Sequence, residues 1–468
     1  MIALTPEEIA AATHGRLVMN NDGDAAERIS GQAQTDSREV AAGHIFFARR
    51  GEETDGHRFA TQAVDNGASL LVVEHEVDGR VPQVVVEDST VALGQLAQHV
   101  IAQVRAQGAL RVVAITGSNG KTTTKNLVAA MAAHRGSTVA SGKSFNNEVG
   151  GPLTMLRVEA DTEILVAEMG ASAPGEISRL TAMAPPHIGV VLSVGLAHVG
   201  EFGGIEATYD AKSEMVHNLP HSAVAVLNRD DPWVAKMADH TAARVVWFGL
   251  REDAHVRASE VVGTASGTTF VLHIADDTRP VHFRVLGEHH VMNALAAAAI
   301  ATELGLSIDQ IVASLEAATV AAPGRMQVLP GRDGITVIND AYNASPDSMR
   351  AALKTLALIA EPGSRTVAVL GAMAELGEYS GDAHDQLGLL AVRLGISELV
   401  VVGAEARRLH ISAINEGSWD GESVFVEDHE AAFDYLMRTV QPNDVILVKA
   451  SNSAGLQVLG DRLGEALA

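Results

Sequence analysis

The stretch AITGSNGKTTTKNL, residues 114–127, sets two glycines, a lysine and a run of three threonines between a short apolar segment and a helical pattern. After a strand at 111–115, Gly117 and Gly120 let the backbone curl so that successive N–H groups point inward. A helix starting near Lys121 adds the positive end of its dipole. A loop of this kind holds phosphates. Its nucleotide-binding candidates are Gly117, Ser118, Asn119, Gly120, Lys121, Thr122 and Thr123. Lys121 is placed to reach the β and γ phosphates of a nucleotide, and Thr122 to offer its hydroxyl to Mg²⁺. The strict Walker pattern needs a glycine where Ile115 stands, so the match is to the shorter form G-x-x-G-K-T.

The charge balance narrows what kind of phosphate is held. Lys and Arg number 34 against 58 Asp and Glu, a formal charge of −24. That field repels the backbone a nucleic-acid binder must neutralise with clustered basic residues, and no such cluster occurs. A small anionic substrate remains compatible, because a few N–H groups, one lysine and a metal ion override the global field locally. With no cysteine, disulfides, thiol nucleophiles and cysteine-based zinc sites are excluded. The opening MIALTPEEIA lacks the basic-then-apolar pattern of a signal peptide, and the most apolar helical run, ALAAAAIATELGL at 294–306, is too short and too polar at its end for a bilayer. The expectation is a cytoplasmic monomer without membrane insertion.

Outward from the loop, the 468 residues, 47% of them hydrophobic, are enough for several domains, each with its own core. Residues 1–108 mix short strands, HIFFA (44–48) and LLVVE (70–74), with a helical run at 90–104. From 109 the pattern becomes regular alternation of apolar strand and helix: RVVAI, then the loop and its helix, then EILVAEM, IGVVLSV and AVAVLN. Alternation of this type predicts a parallel sheet wrapped by helices, with ligands at the carboxyl ends of the strands. Proline and glycine become dense near 321–334. Beyond them GITVIND, RTVAVLG, ELVVVG and DVILVK alternate with helices such as 345–360. The fold class expected is α/β in three domains: a small N-terminal α/β domain (1–108), a central P-loop ATPase domain (109–322) and a C-terminal Rossmann-like domain (323–468).

A phosphate loop alone leaves the use of the nucleotide open. A GTPase, a switch or motor ATPase, and a nucleotide binder without catalysis all contain one. NRDD (228–231) is one residue away from the guanine-reading Asn-Lys-x-Asp motif and reads as a strand end followed by a turn. More specific are SFNNEVGGPLTML (144–156), VAEMGASAPGEI (166–177), SVGLAHVGEFG (193–203), DAKSEM (210–215), NDAYNASPDSM (339–349), VLGAMAELGEYS (369–380) and DSREVAAGHIFFARRGEETDGHRF (36–59). Together with the loop, these resemble the Mur ligases of peptidoglycan synthesis over nearly the whole chain.

The resemblance implies an ATP-dependent ligase that makes an acyl phosphate on a substrate carboxylate and lets an amine displace the phosphate. Within the family the likeness is to the branch whose substrates are UDP-N-acetylmuramoyl-tripeptide and D-alanyl-D-alanine. The implied catalytic set is Lys121, Glu168, His198 and Lys212. Thr122, Glu168, His198 and Lys212 would serve the metal, Lys212 through a carbamate formed with CO₂. Asn293 is implied near the adenine, and Arg325 and Asp340 near the nucleotide's phosphates and ribose. Ser37 and Arg38 are implied at the uridine nucleotide, and Asn146, Asn147, Tyr342 and Asn343 at the substrate cleft. Alone, a strand-end glutamate is more often a solvated or capping group and a lone histidine a packing one.

Departures from the family pattern are Ala372, where an Asp is usual, the stretch KASN (449–452) in place of Lys-Gly-Ser-Arg, and His290 where an Asn is common. A diamino-acid-adding relative and a folylpolyglutamate-type ligase are the alternatives within ligases, and the doubled Asn146-Asn147 and the run NASPDSM argue against both.

Overall fold

The computed structural model describes residues 1–19, 27–51, 54–142, 144–197, 199–318, 323–361, 363–417 and 422–468. Three sheets follow one another along the chain, of five, nine and six strands. The first contains Ile45–Phe47 and Leu70–Val73, both wholly buried and parallel, as near-continuous Ile, Phe, Leu and Val runs require of strands covered on both faces.

In the second sheet the strand Arg111–Thr116 is buried in all but its first residue and lies between Ile164–Glu168 and Ile188–Val191, parallel to both. The chain goes from this strand to Thr138–Ala140 and Ile164–Glu168 on one side, then crosses to Ile188–Val191 and Val224–Asn228 on the other. The exit of Arg111–Thr116 is therefore a topological switch point, where an open α/β sheet forms a crevice. The phosphate loop occupies that exit. The helix that follows it, Lys121–Ala132, packs against His289–Glu303, whose alanines at 294, 296–299 and 301 are fully buried and let the two helices approach closely.

The third sheet runs Gln327–Pro330, Thr336–Asn339, Val445–Lys449, Thr366–Leu370, Glu398–Val402, Ser423–Val426, parallel except for its first pair.

Two features differ from what the sequence pattern predicts. The central sheet is extended by an antiparallel meander, Val256–Thr264, Gly267–Ile274 and Asp277–Phe283. The cores are also not separate. The helix Ser89–Ala106 buries Leu93, Leu96 and Val100 in one apolar cluster with Val112, Leu165 and Leu180 of the central region, and Gly94 lies against Met183. Val199 and Leu286 likewise pack with Met349, Leu370 and Leu376. A helix periodicity shows which face is apolar; it does not show whose surface that face will cover.

Among the described residues no helix is long and apolar enough to cross a membrane.

Candidate active site

The phosphate loop, the ends of its neighbouring strands and the loops at the carboxyl ends of the third sheet's strands enclose a cleft of about 550 Å³. The loop is shaped by its glycines. Gly120 has φ +85°, and a Cβ there would stand 2.2 Å from Asn293 Oδ1. At Gly117, φ +147°, a Cβ would meet Leu192 Cβ at 2.9 Å. Both positions exclude a side chain by conformation and by contact. Ser118 N donates to Ser193 O (2.9 Å), and Gly195 N donates to Ser118 Oγ (2.9 Å), so the loop is tied to the segment leaving Ile188–Val191. Lys121 Nζ folds back to donate to Gly117 O at 2.7 Å. Burial pushes its pKa down, with the Glu168 carboxylate opposing and Arg325 adding to the shift.

Glu168, 2% exposed at the end of its strand, accepts at both carboxylate oxygens: from Thr122 Oγ1 (2.9 Å) and from Asn146 Nδ2 (2.9 Å). Asn147 instead turns its Oδ1 to Gly150 N (3.0 Å), starting the helix Gly150–Met155. Thr123, Asn146 and Asn147 all line the cleft.

The opposite wall comes from beyond residue 323. Ser144 Oγ lies 2.9 Å from the Tyr342 hydroxyl, 3.2 Å from an Arg325 guanidinium nitrogen and 3.3 Å from Thr122 Oγ1. Ser345 caps the helix Pro346–Ile359 and donates from Oγ to Asn119 Oδ1 (3.1 Å). Asp340 accepts from Met326 N (2.9 Å) and pairs with Lys449 Nζ (2.7 Å), which also donates to Asn343 O (2.9 Å).

Deeper in, Asn293 Oδ1 faces Thr124 Oγ1 (3.4 Å), and Asn293 Nδ2 donates to His290 Nδ1 (3.1 Å). Burial, with His289, Lys449 and Arg325 nearby, holds His290 well below its ordinary pKa. The ring is therefore neutral and carries its proton on Nε2, a buried donor in the cleft wall with no partner among the described residues.

Lys212, on the helix Ile205–His217, is 2% exposed and does not line the cleft. Burial, and the nearby Lys121, bring its ammonium down to about 7. Its Nζ lies 5.5 Å from the Phe202 ring centre. His198 falls outside the described residues. Ser37 and Arg38 sit apart from the cleft in the first sheet's domain. Ser37 Oγ donates to Gln62 Oε1 (2.7 Å), and the exposed Arg38 forks onto its neighbour Asp36. Thr122 and Glu168 supply hard oxygen donors, and the described residues contain no cluster of three His, Cys, Asp or Glu that could enclose an ion. That donor set fits Mg²⁺, which keeps waters and substrate phosphates in its shell, better than a metal needing an all-protein cage.

Three family models match the chain in order: "Mur ligase family, catalytic domain" at 32–101, "Mur ligase middle domain" at 115–301 and "Mur ligase, glutamate ligase domain" at 324–452. A relative from Mycobacterium tuberculosis, named UDP-N-acetylmuramoyl-tripeptide--D-alanyl-D-alanine ligase, is 43% identical across 99% of this chain and 98% of its own length. The chain belongs to the Mur ligase family. An Escherichia coli protein of the same name is 34% identical to this Mur ligase over 94% of the chain and 95% of its own length. Among solved structures, a crystal structure of MurF from Acinetobacter baumannii superposes with a TM-score of 0.88 at 31% identity, covering 99% of both chains. The Thermotoga maritima MurF ligase in complex with ADP gives 0.81 at 28% identity, over 94% of this chain and 98% of that one.

Several cleft residues of this Mur ligase escape a reading of its motifs. Ser144, Ser345, His289 and the Lys449 partner of Asp340 acquire their places only through folding. Behind the cleft, Lys125, the second lysine of KTTTK, is 3% exposed and donates to Ser141 O (2.7 Å), whose residue in turn accepts Glu168 N at its Oγ (3.2 Å). The spacing of Lys125 from Lys121, one helical turn, was the available signal.

Proposed function

We propose that this Mur ligase joins D-alanyl-D-alanine to UDP-N-acetylmuramoyl-tripeptide, driven by ATP, in making the peptidoglycan precursor. The observation that carries the reading is the grouping of Lys121, Thr122 and Glu168 beneath one curled loop, facing Arg325 across a single cleft. Full-length likeness to relatives of that name supplies the substrates.

A carboxylate is a poor electrophile, and phosphorylation turns one of its oxygens into a good leaving group. The inward N–H groups of 117–120 and Lys121 hold the β and γ phosphates, and Arg325 meets them from the other wall. A carboxylate oxygen attacks the γ phosphorus, the bond to the bridging oxygen breaks and ADP departs. The dipeptide amine then attacks the acyl carbon. Orthophosphate leaves with the former carboxylate oxygen, and the amine's proton passes to water. Mg²⁺, bound through Thr122 and Glu168 with His198 as the family's further ligand, would screen the repulsion between triphosphate and carboxylate. Closing the two walls keeps water from the acyl phosphate.

Lys212 enters through its depressed pKa. A buried amine titrating near 7 is neutral over a range where an ordinary lysine is charged, so it can attack CO₂, form an N–C bond and lose a proton. The resulting carbamate offers anionic oxygens where an ammonium would repel the metal. On the nucleotide's other end, Asn293 and the free Nε2–H of His290 suit the base, and Asp340 the ribose. Asn146, Asn147, Tyr342 and Asn343 line the path to the acceptor. The division of labour assigns the UDP sugar to 1–108, with Ser37 and Arg38, ATP to 109–322 and the dipeptide to 323–468. We read the enzyme as a cytoplasmic monomer.

The test is ADP release by the purified enzyme. It should require UDP-N-acetylmuramoyl-tripeptide and D-alanyl-D-alanine together, and Lys121→Ala should abolish it with the circular dichroism unchanged. ADP formed equally without either substrate, or only with a different amine, would overturn the assignment.

A further inference from the structure

Ser144 is one of the points where the two walls of the cleft touch, the Ser345–Asn119 hydrogen bond being another. It lies half-buried between the strand Thr138–Ala140 and the Asn146-Asn147 pair. The directions of its hydrogen bonds follow from the donors available. Arg325 has only N–H groups to give, so Ser144 Oγ accepts at 3.2 Å. The Tyr342 hydroxyl also donates to it, at 2.9 Å. Thr122 gives its own proton to Glu168 Oε2, which leaves the Thr122 oxygen, 3.3 Å away, as the acceptor for the Ser144 proton. One small hydroxyl thus uses both lone pairs and its proton, and a directed row of hydrogen bonds runs from the C-terminal wall through Ser144 and Thr122 to Glu168. Each member polarises the next.

The two groups above Ser144 are themselves joined. The Arg325 guanidinium carbon lies 4.1 Å from the centre of the Tyr342 ring, so cation and ring are stacked and share the same serine. Arg325 and Tyr342 come from 323 onward, whereas Ser144, Thr122 and Glu168 come from the central sheet. Through Ser144 the first turn after the phosphate loop is linked by hydrogen bonds to that arginine.

We propose that Ser144 is a positioning residue for the ligation: it aligns Arg325 and Tyr342 over the phosphate loop and links that alignment to the pose of Thr122. This rests on the reading in which Lys121 and Thr122 serve nucleotide and metal. The hydroxyl touches no reacting atom; it fixes where the cation of the opposite wall stands when the phosphates arrive. Its loss should therefore slow turnover and leave the first domain's grip on the UDP sugar alone.

The experiment is a double-mutant cycle in the full-length enzyme with Ser144→Ala, Tyr342→Phe and the pair, measuring kcat, the KM for UDP-N-acetylmuramoyl-tripeptide and the melting temperature. Ser144→Ala, which loses the bond from the Arg325 guanidinium, should lower kcat roughly tenfold, and Tyr342→Phe, which loses one neutral hydrogen bond, by a few-fold. For Ser144→Ala the KM for the UDP substrate and the melting temperature should stay at wild-type values. The pair should be no slower than Ser144→Ala alone, because the shared contact is already gone. A Ser144→Ala enzyme with wild-type kcat, or a pair whose loss is the product of the two single losses, would overturn the proposal. Failure of the functional reading shows separately, as wild-type enzyme that releases no substrate-dependent ADP.

Discussion

Thr122 Oγ1 donates to Glu168 Oε2 at 2.9 Å, joining the first turn after the phosphate loop to the end of the neighbouring strand. The second carboxylate oxygen is occupied by Asn146 Nδ2. The carboxylate is thus held in one orientation before any ion arrives, with a hydroxyl oxygen beside it. That is the arrangement a Mg²⁺ ion needs if it is to take one or two protein oxygens and leave the rest of its shell to phosphates and water.

Glu168→Gln keeps the shape of the side chain and removes its charge. The Mg²⁺ concentration for half-maximal activity should rise by at least about tenfold, one charged ligand's share of binding. An identical magnesium titration for variant and wild type would refute the assignment of Glu168.

Gly120→Ala tests the loop itself. The new Cβ would sit 2.2 Å from Asn293 Oδ1 on a residue with φ +85°. Strain of this kind costs about 1–3 kcal/mol. We expect a lower melting temperature and ADP affinity reduced by at least about tenfold, since Asn293 must move. Calorimetric titration with Mg·ADP measures both the affinity and whether binding survives.

The buried pair of Asp340 and Lys449, 2.7 Å apart with side chains 13% and 3% exposed, should behave as mutual support. Lys449→Met leaves a carboxylate without its counter-ion and should destabilise the protein by about 3–5 kcal/mol. Adding Asp340→Asn should recover part of that loss. Denaturant unfolding of the single and double variants decides it; a double variant less stable than Lys449→Met alone would show that the pair is not coupled in this way.

The phosphate loop and the strands beside it were legible because their signals are local: glycine at two positive-φ positions, a lysine opening a helix, runs of Val and Ile for buried parallel strands. Glu168 was legible as a strand-end acid only by its likeness to the family, because nothing in ILVAE says that Thr122 will face it. Ser144 was not legible at all. Its importance comes from residues 122, 325 and 342 converging on it, which no periodicity encodes. The meander at 256–283 does not follow the pattern of the parallel strands because its strands tend to alternate buried apolar positions, such as Phe270, Leu272, Val281 and Phe283, with more exposed ones, as strands open to solvent on one face do. Independent cores were expected where Leu93 and Leu165 in fact share one cluster.

Stability in acid should depend on His187. Its Nδ1 accepts from Val112 N at 2.9 Å, and burial, followed by Arg105 and Arg111, brings its pKa from 6.5 to about 4. Between those two values the unfolded chain binds a proton that the native protein refuses, so stability is full above pH 6.5 and falls as pH drops toward 4. His187→Asn places its Oδ1 where Nδ1 stands, keeps an acceptor for Val112 N and removes the titration. Its urea midpoint should change less between pH 7 and pH 4.5 than that of the wild type; equal changes would show that His187 does not contribute to the acid limb.

The central claim is that the cleft around Lys121 transfers the γ-phosphoryl group of ATP to the carboxylate of the UDP-linked tripeptide. The direct measurement is to label that carboxylate with ¹⁸O and analyse the orthophosphate released during ligation. The account predicts one labelled oxygen in each orthophosphate formed. Orthophosphate free of label, alongside normal amide product, would contradict it.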